Sequence, residues 1–268
     1  MDLVKSNQFI KGNVFKLLPQ IEDSSIDLIF TDPPYVKSLA ELYTQWNQNL
    51  DFRVLAWYFN QNLKSTGRVC LFSDFATAVE IQQEFSKYFR FNFFWVWEKP
   101  LGQPVGQGKK QPINNCELLL VFSKIKAPRK SLTFNHEAIS TPGKPYQKEL
   151  KVQNKTRKNH QPYETINLTG LRYPKQVLQF PSKCNLPKIE RTEHPAQKPL
   201  ALCKYVIKAL SNPGDTVFDP FAGSGSILVA AEQLDRQYIG FEINQSYYNE
   251  AFPRLKRQLK NKRCKNGR

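Results

Sequence analysis

A chain of 268 residues with 40% hydrophobic and 13% aromatic content can bury a sizeable core, which excludes a disordered protein. No segment approaches the roughly 20 apolar residues of a membrane span, FNFFWVW at 91–97 being far too short, and MDLVKSNQFIKGN has no apolar core after Lys5, so neither a membrane protein nor a secretory leader is expected. The net charge of +16 is uneven: Lys124 to Arg191 holds 15 Lys/Arg against 4 Asp/Glu, Arg254 to Arg268 holds 8 against none, and the remainder is slightly acidic. Such concentration points to a polyanion, most plausibly nucleic acid, although the tail alone reads as a solvated basic end. Cys70, Cys116, Cys184, Cys203 and Cys264 show no CxxC spacing, and His136, His160 and His194 form no ligand-like cluster with them. Free thiols in a reducing, cytoplasmic compartment are expected, with no metal.

In chain order, NQFIKGNVFKLLPQI (7–21) predicts a strand and a short helix, and SSIDLIFTDPPY (24–35) a buried strand stopped by two prolines. Residues 39–66 read as mostly helical, with Gly67 in a natural stop position. RVCLFSDF (68–75) is a strand, ATAVEIQQEFSKYF (76–89) a helix, and FNFFWVWEKP (91–100) and CELLLVFSK (116–124) are apolar runs of strand length. KPLGQPVGQGKKQPINN (99–115), rich in Gly, Pro and Lys, reads either as a mobile loop near a substrate or as a plain surface connection. From 125 to 191 the periodicity fails, and the segment reads as a basic insert outside the sheet. Order returns with a helix ending near Asn212 to Gly214, the strand TVFDPF (216–221), a glycine turn, the helix SILVAAEQLD (226–235), the strand QYIGFEI (237–243) and a last amphipathic helix. Alternating strands and helices predict an α/β fold, a doubly wound, mostly parallel sheet covered on both faces.

Two stretches carry chemistry. Asp32 and Tyr35 follow the strand 26–30, at the carboxyl edge where ligands of an open parallel sheet bind, although a rigid turn would also end a strand this way. FDPFAGSGS (218–226) turns through Gly223 and Gly225 directly into a helix, letting backbone approach a ligand beside unpaired N–H groups; a lone Gly-x-Gly is weak evidence. Glu242, ending the next strand, is placed to accept hydrogen bonds from the two ribose hydroxyls of a nucleoside.

TDPPY, EHPAQKP (193–199) and FDPFAGSG, in that order, resemble the β-class of S-adenosylmethionine-dependent DNA amino-methyltransferases, the enzymes of bacterial restriction-modification systems and orphan or phage methylases. The resemblance implies a Rossmann-like methyltransferase fold, circularly permuted. Its catalytic half would be 1–124, a target-recognition region 125–191, and the cofactor half with the basic tail 192–268. The cofactor and catalytic strands would lie side by side, and the terminal helix would lead back to the first strand. It further implies that Asp219, Pro220, Phe221, Ala222, Gly223, Ser224 and Gly225 line S-adenosylmethionine, that Glu242 holds its ribose and that Lys198 faces its methionine carboxylate. Asn13 would meet the adenine moiety, and Asp32 would border the cofactor. Two positions depart from the family pattern: Ala196 stands where Thr is commoner, and Asn13 where Asp is.

By the same resemblance, Asp32, Pro33, Pro34 and Tyr35 are catalytic. The Asp32 carboxylate and the Pro33 carbonyl would draw an exocyclic amine toward tetrahedral geometry, and Tyr35 would stack a flipped base. Lys109, Lys110, Lys151, Lys155, Arg157, Lys158, Arg172 and Lys175 are the candidate contacts to double-stranded DNA. Adenine is the expected target and S-adenosylhomocysteine the expected product. Cytosine amine methylation, RNA adenine methylation and a catalytically silent DNA-binding subunit are the alternatives, and motif order argues against protein-glutamine methylation. A homodimer, a cognate restriction endonuclease and association with the nucleoid are further expectations of the family.

Overall fold

A computed structural model of the chain describes residues 3–35, 50–103, 112–150 and 163–266. They fall into two units, residues 1–134 with 176–268, and residues 135–175. In chain order the elements are β1 (Gln8–Lys11), α1 (Val14–Leu17), β2 (Ile26–Thr31), α2 (Phe52–Asn62), β3 (Leu63–Ser73), α3 (Phe75–Phe85), β4 (Phe89–Gln103) and β5 (Asn114–Lys124). The second unit contributes β6 (Tyr146–Leu150) and β7 (Tyr163–Asn167). There follow β8 (Val177–Gln179), α4 (Leu200–Leu210), β9 (Thr216–Asp219), α5 (Ser226–Gln233), β10 (Gln237–Glu242) and α6 (Gln245–Asn266).

The first unit is one sheet of order β1-β10-β9-β2-β3-β5-β4-β8. β1, β10, β9, β2 and β3 pair in parallel, as do β4 and β8, whereas β5 is antiparallel to both β3 and β4. β9 and the second half of β2 are buried on both faces, which is why they read as continuous apolar runs rather than alternating ones. Side chains on β3, β5 and β10 divide between two helical layers. Val69, Leu71, Leu120, Phe122, Ile239 and Phe241 pack with α1, α2 and α3. On the opposite face α5 comes so close that a Cβ on Gly240 would lie 2.3 Å from Leu228 Cδ1. The doubly wound α/β class read from the sequence is therefore observed, with the expected neighbours β9 and β2 in direct parallel register.

Four local readings are corrected. Gly67 does not stop a helix. α2 ends at Asn62, and Lys64–Gly67 are extra residues opposite Asp27, where pairing jumps from Ile26↔Leu63 to Leu28↔Arg68. Asp27 organises this irregularity: it takes Lys64 Nζ at 2.8 Å on both oxygens and accepts the Thr216 N–H at 2.9 Å, tying β2, β3 and β9 together. A side chain at 67 would press on the Asp27 carbonyl at 2.9 Å. Second, β4 runs on to Gln103 and β5 begins at Asn114, so both ends of the segment expected as a loop over 99–115 are strand. Third, Val177–Gln179 joins the sheet as an edge strand on β4, within a stretch expected to lie outside it. Trp97 fastens it by donating its indole N–H to the Phe180 carbonyl at 3.0 Å. Fourth, the stretch without periodicity contains the antiparallel pair β6 and β7. Among the described residues no helix is long and apolar enough to cross a membrane.

Candidate active site

Asp32 to Tyr35 leave the end of β2, immediately beside β9. Asp32 Oδ1 accepts the Tyr35 hydroxyl at 2.9 Å and its Oδ2 takes Lys198 Nζ at 2.5 Å. Lys198 arrives from the turn before α4 and also lies 3.2 Å from Glu117 Oε2 and 4.8 Å above the Phe72 ring centre. Glu117 Oε1 in turn takes Lys99 Nζ at 2.5 Å. Two carboxylates and two ammonium groups thus alternate in a neutral, largely buried chain. Burial raises the Asp32 carboxyl above its ordinary value, opposed by Lys198 and reinforced by Glu117. Burial would depress the Lys198 ammonium, but Asp32 and Glu117 outweigh it and hold the group well above its usual range. Burial also works against the Glu117 charge, and Lys198 and Lys99 overcome it and lower that carboxyl. Tyr35 is pushed well up, by burial first and then by Asp32, so it stays a hydroxyl donor.

The second half of the site is the turn after β9. Gly223 (φ 50°) and Gly225 (φ 71°) adopt the left-handed region, which lets the chain reverse into α5. A Cβ on Gly223 would stand 2.7 Å from His194 Nε2. The His194 ring meets Tyr247 edge-on at 4.4 Å. Its pKa is lowered to about 4, by burial and then by Lys198 and Lys183, so it is neutral near pH 7. Arg254 of α6 donates to the Ser224 carbonyl at 2.9 Å and to Ser226 Oγ at 3.2 Å, clamping the turn from outside. Glu242, at the end of β10, accepts the N–H groups of Gly223 at 2.8 Å and Asn244 at 2.6 Å, and burial raises its carboxyl. The bare backbone at 223–225, the start of α5 and this carboxylate together fit a nucleoside-bearing cofactor.

Asp219 joins the two halves. Its Oδ1 accepts Thr31 Oγ1–H from β2 at 2.6 Å and the Phe221 N–H at 3.2 Å. Burial raises its pKa from 3.8 to about 7. A folded pKa above the unfolded one means that the native state holds the proton more tightly, so this group subtracts stability as pH climbs from about 4 to about 7. Asp219→Asn, which keeps an acceptor oxygen, is expected to remove that decline, a difference of at most roughly 4 kcal/mol. Urea unfolding of both proteins at pH 5 and pH 8 measures it; parallel behaviour of the two would contradict the assignment.

Pro33, Pro220, Ala222 and Ser224 are buried, and Pro34 and Phe221 are half-buried. Asn13 spends its side-chain oxygen on the Phe15 N–H at 2.9 Å, capping α1. Lys198, expected to face the cofactor's carboxylate, is paired with Asp32 and Glu117. Glu117 and Lys99 were not singled out by the sequence; the signal was an acid at the head of CELLLVF and a lysine two residues past the aromatic run. In the second unit Arg172 lies 4.7 Å over the Tyr146 ring and donates to the Lys144 carbonyl at 2.8 Å, and Lys175 is exposed. Lys109, Lys110, Lys151, Lys155, Arg157 and Lys158 lie outside the described residues, as do residues 39–49 of the expected helix.

An acid, two prolines and a tyrosine at one strand end, facing a glycine turn and an acidic strand end two strands away, define an α/β methyltransferase site. The chain belongs to the DNA methylase family, which matches residues 26–253. It is 31% identical to the type II methyltransferase M.HpaI of Haemophilus parainfluenzae, over 92% of this chain and 74% of that one. It is 32% identical to the DNA adenine methyltransferase YhdJ of Escherichia coli (strain K12), over 94% and 83%. Among solved structures it superposes on the M1.HpyAVI-SAM complex with a TM-score of 0.61 and 25% identity, covering 92% of this chain and 99% of the other. The family resemblance carried by TDPPY, HPAQKP and FDPFAGSG is borne out.

Proposed function

We propose that the chain methylates the exocyclic amine of adenine in double-stranded DNA, giving 6-methyladenine. The observation that carries this reading is the placement of the Asp32 carboxylate one strand from Asp219, beside the glycine turn that suits the cofactor. When bound, S-adenosylmethionine supplies an electrophilic methyl group on a sulfonium and leaves as S-adenosylhomocysteine. Asp219, Pro220, Phe221, Ala222, Gly223, Ser224 and Gly225 would line it and Glu242 would bind its ribose, while Asn13 and Lys198 border the same edge.

The adenine amine is a weak nucleophile because its lone pair is delocalised into the ring. Asp32 and the Pro33 carbonyl accept its two hydrogens and draw the nitrogen toward tetrahedral geometry. The lone pair would take up the methyl group that the sulfonium supplies, the electron pair of the broken C–S bond staying on sulfur, and the amine proton that Asp32 holds would then pass to water. Tyr35, half-buried beside Asp32, offers a ring face for the flipped base. Residues 135–175, with the basic residues that precede and follow them, serve target recognition in this reading, Arg172 and Lys175 lying on DNA phosphates. A homodimer, a cognate endonuclease and a cytoplasmic, nucleoid-associated location complete it; sedimentation of the purified chain tests the first of these.

The test is incubation with labelled S-adenosylmethionine and unmethylated double-stranded DNA, followed by nucleoside mass spectrometry. Labelled 6-methyladenine is the expected product. Labelled 4-methylcytosine would overturn the choice of base while keeping the mechanism, and labelling of RNA but not DNA would overturn the substrate.

A further inference from the structure

Glu117 reaches the catalytic edge only because β5 is reversed. A residue near the start of an antiparallel strand lies where the parallel strands end, and Glu117 pairs there with Trp97 of β4. Its carboxylate holds two ammonium groups, Lys198 at 3.2 Å and Lys99 at 2.5 Å, and Lys198 is in contact with Asp32. The aromatic rings of Phe72 and Trp97, in edge contact at 6.3 Å, form the floor beneath both cations. Neither Glu117 nor Lys99 has a role in the methyl-transfer reading above.

We propose that Glu117 is a positioning residue for methyl transfer, sharing the Lys198 ammonium with Asp32 so that the lysine orients the Asp32 carboxylate without neutralising its power to accept the amine's hydrogen. This inference rests on the proposed function. The physical argument is one of division. An ammonium bound to a single buried carboxylate would take most of its charge and make it a poor acceptor. A second carboxylate on the far side draws the ammonium back, and Lys99 compensates the second carboxylate in turn, so the cluster stays neutral and the burial of four charges is tolerable.

The groups that face Asp32 are Lys198 before α4, Glu117 of β5, Tyr35 of its own loop and Asp219 of β9. Asp74, which follows β3, acts on Tyr35, and Lys99 of β4 acts through Glu117. Their placement gives two substitutions opposite signs. Glu117→Gln removes an anion facing Asp32, so the carboxyl ionises more readily and the acid limb of the pH–rate profile moves down. Lys99→Met leaves the Glu117 charge uncompensated, so Lys198 is drawn away from Asp32 and the same limb moves up. The Glu117→Gln shift is about one pH unit, the low end of the effect of a charge within roughly 4–6 Å, and the Lys99→Met shift is smaller because Lys99 acts through Glu117.

The experiment is the pH dependence of kcat and kcat/KM for DNA methylation by the full chain, wild type and both variants. In Glu117→Gln, kcat on the plateau is expected to fall by no more than about the tenfold that one unit of basicity represents, with KM for S-adenosylmethionine unchanged. Limbs displaced in opposite directions support the proposal. Limbs that stay with the wild type, or move together, overturn it, as does a rise in KM with an unmoved limb, which would make Glu117 a cofactor residue. Lys99 is the more exposed of the pair, so Lys99→Met decides the sign should Glu117→Gln fail to fold. A wild-type chain that methylates no DNA would sink the functional reading itself, whereas an active wild type with unmoved limbs sinks this inference alone.

Discussion

Asp32→Ala is expected to reduce methyl transfer by at least about 10²–10³-fold, the usual cost of deleting a group that acts on the reacting atoms, while S-adenosylmethionine still binds. Two acceptors act on the amine in the proposed mechanism, and alanine removes the charged one. The Pro33 carbonyl remains, held by backbone, so a small residual rate is expected rather than none. Folding should survive, because Lys198 keeps Glu117 at 3.2 Å as a counter-ion once Asp32 is gone. Asp32→Asn separates charge from hydrogen bonding: it retains one acceptor oxygen, loses the anion, and should fall between alanine and wild type with its acid limb erased. Single-turnover transfer of labelled methyl and calorimetric titration of the cofactor measure the two halves of this expectation. Alanine and wild-type proteins of equal rate would remove Asp32 from the chemistry.

Gly223→Ala is expected to act on the other half of the reaction, weakening S-adenosylmethionine binding by about tenfold or more. The residue holds φ at 50°, where an L side chain costs about 1–2 kcal/mol, and each 1.4 kcal/mol is about tenfold in affinity if the strain is relieved by moving the turn. The added methyl also meets His194 Nε2 at 2.7 Å. Because the neutral imidazole is itself wedged against Tyr247, it has little freedom to retreat. The double variant Gly223→Ala, His194→Ala removes the collision but not the backbone strain, so it should recover part of the lost affinity. Full recovery would mean that the collision alone matters, and unchanged affinity in the single variant would separate this turn from the cofactor.

Much of the architecture was written in local pattern. Apolar runs such as LIF and TVFD are buried on both faces, and prolines or glycines end them abruptly, so the strands and the edge that carries Asp32 and Gly223 were legible. What escaped depends on distant partners. Gly67 has a helix stop's chemistry, but in β3 a Cβ there would meet the Leu63 side chain at 2.7 Å and the Asp27 carbonyl, forty residues earlier in the chain, at 2.9 Å. Val177–Gln179 is too short to show a period and is a strand only because β4 offers it an open edge. Glu117 sits in an apolar run that predicts a strand of either direction, and its meaning turns on the direction. Lys198 was read by its motif as a cofactor contact; the two carboxylates that hold it come from β2 and β5, which no spacing along the chain reveals.

The segment 135–175 leaves and rejoins the first unit beside a single strand. Phe134 packs edge-on against Phe93 at 5.6 Å and stacks on Trp95 at 6.4 Å, while the Gln176 carbonyl accepts the Val96 N–H at 3.0 Å. The exit and return points thus both meet β4 within residues 93–96, and neither β6 nor β7 belongs to the eight-strand sheet. Evolution can therefore rewrite this excursion, or trade it for another of different length, as one exchangeable cassette. On the proposed reading of residues 135–175 as part of the target-recognition region, such an exchange alters specificity while the strand order that carries Asp32 and Gly223 stays as it is.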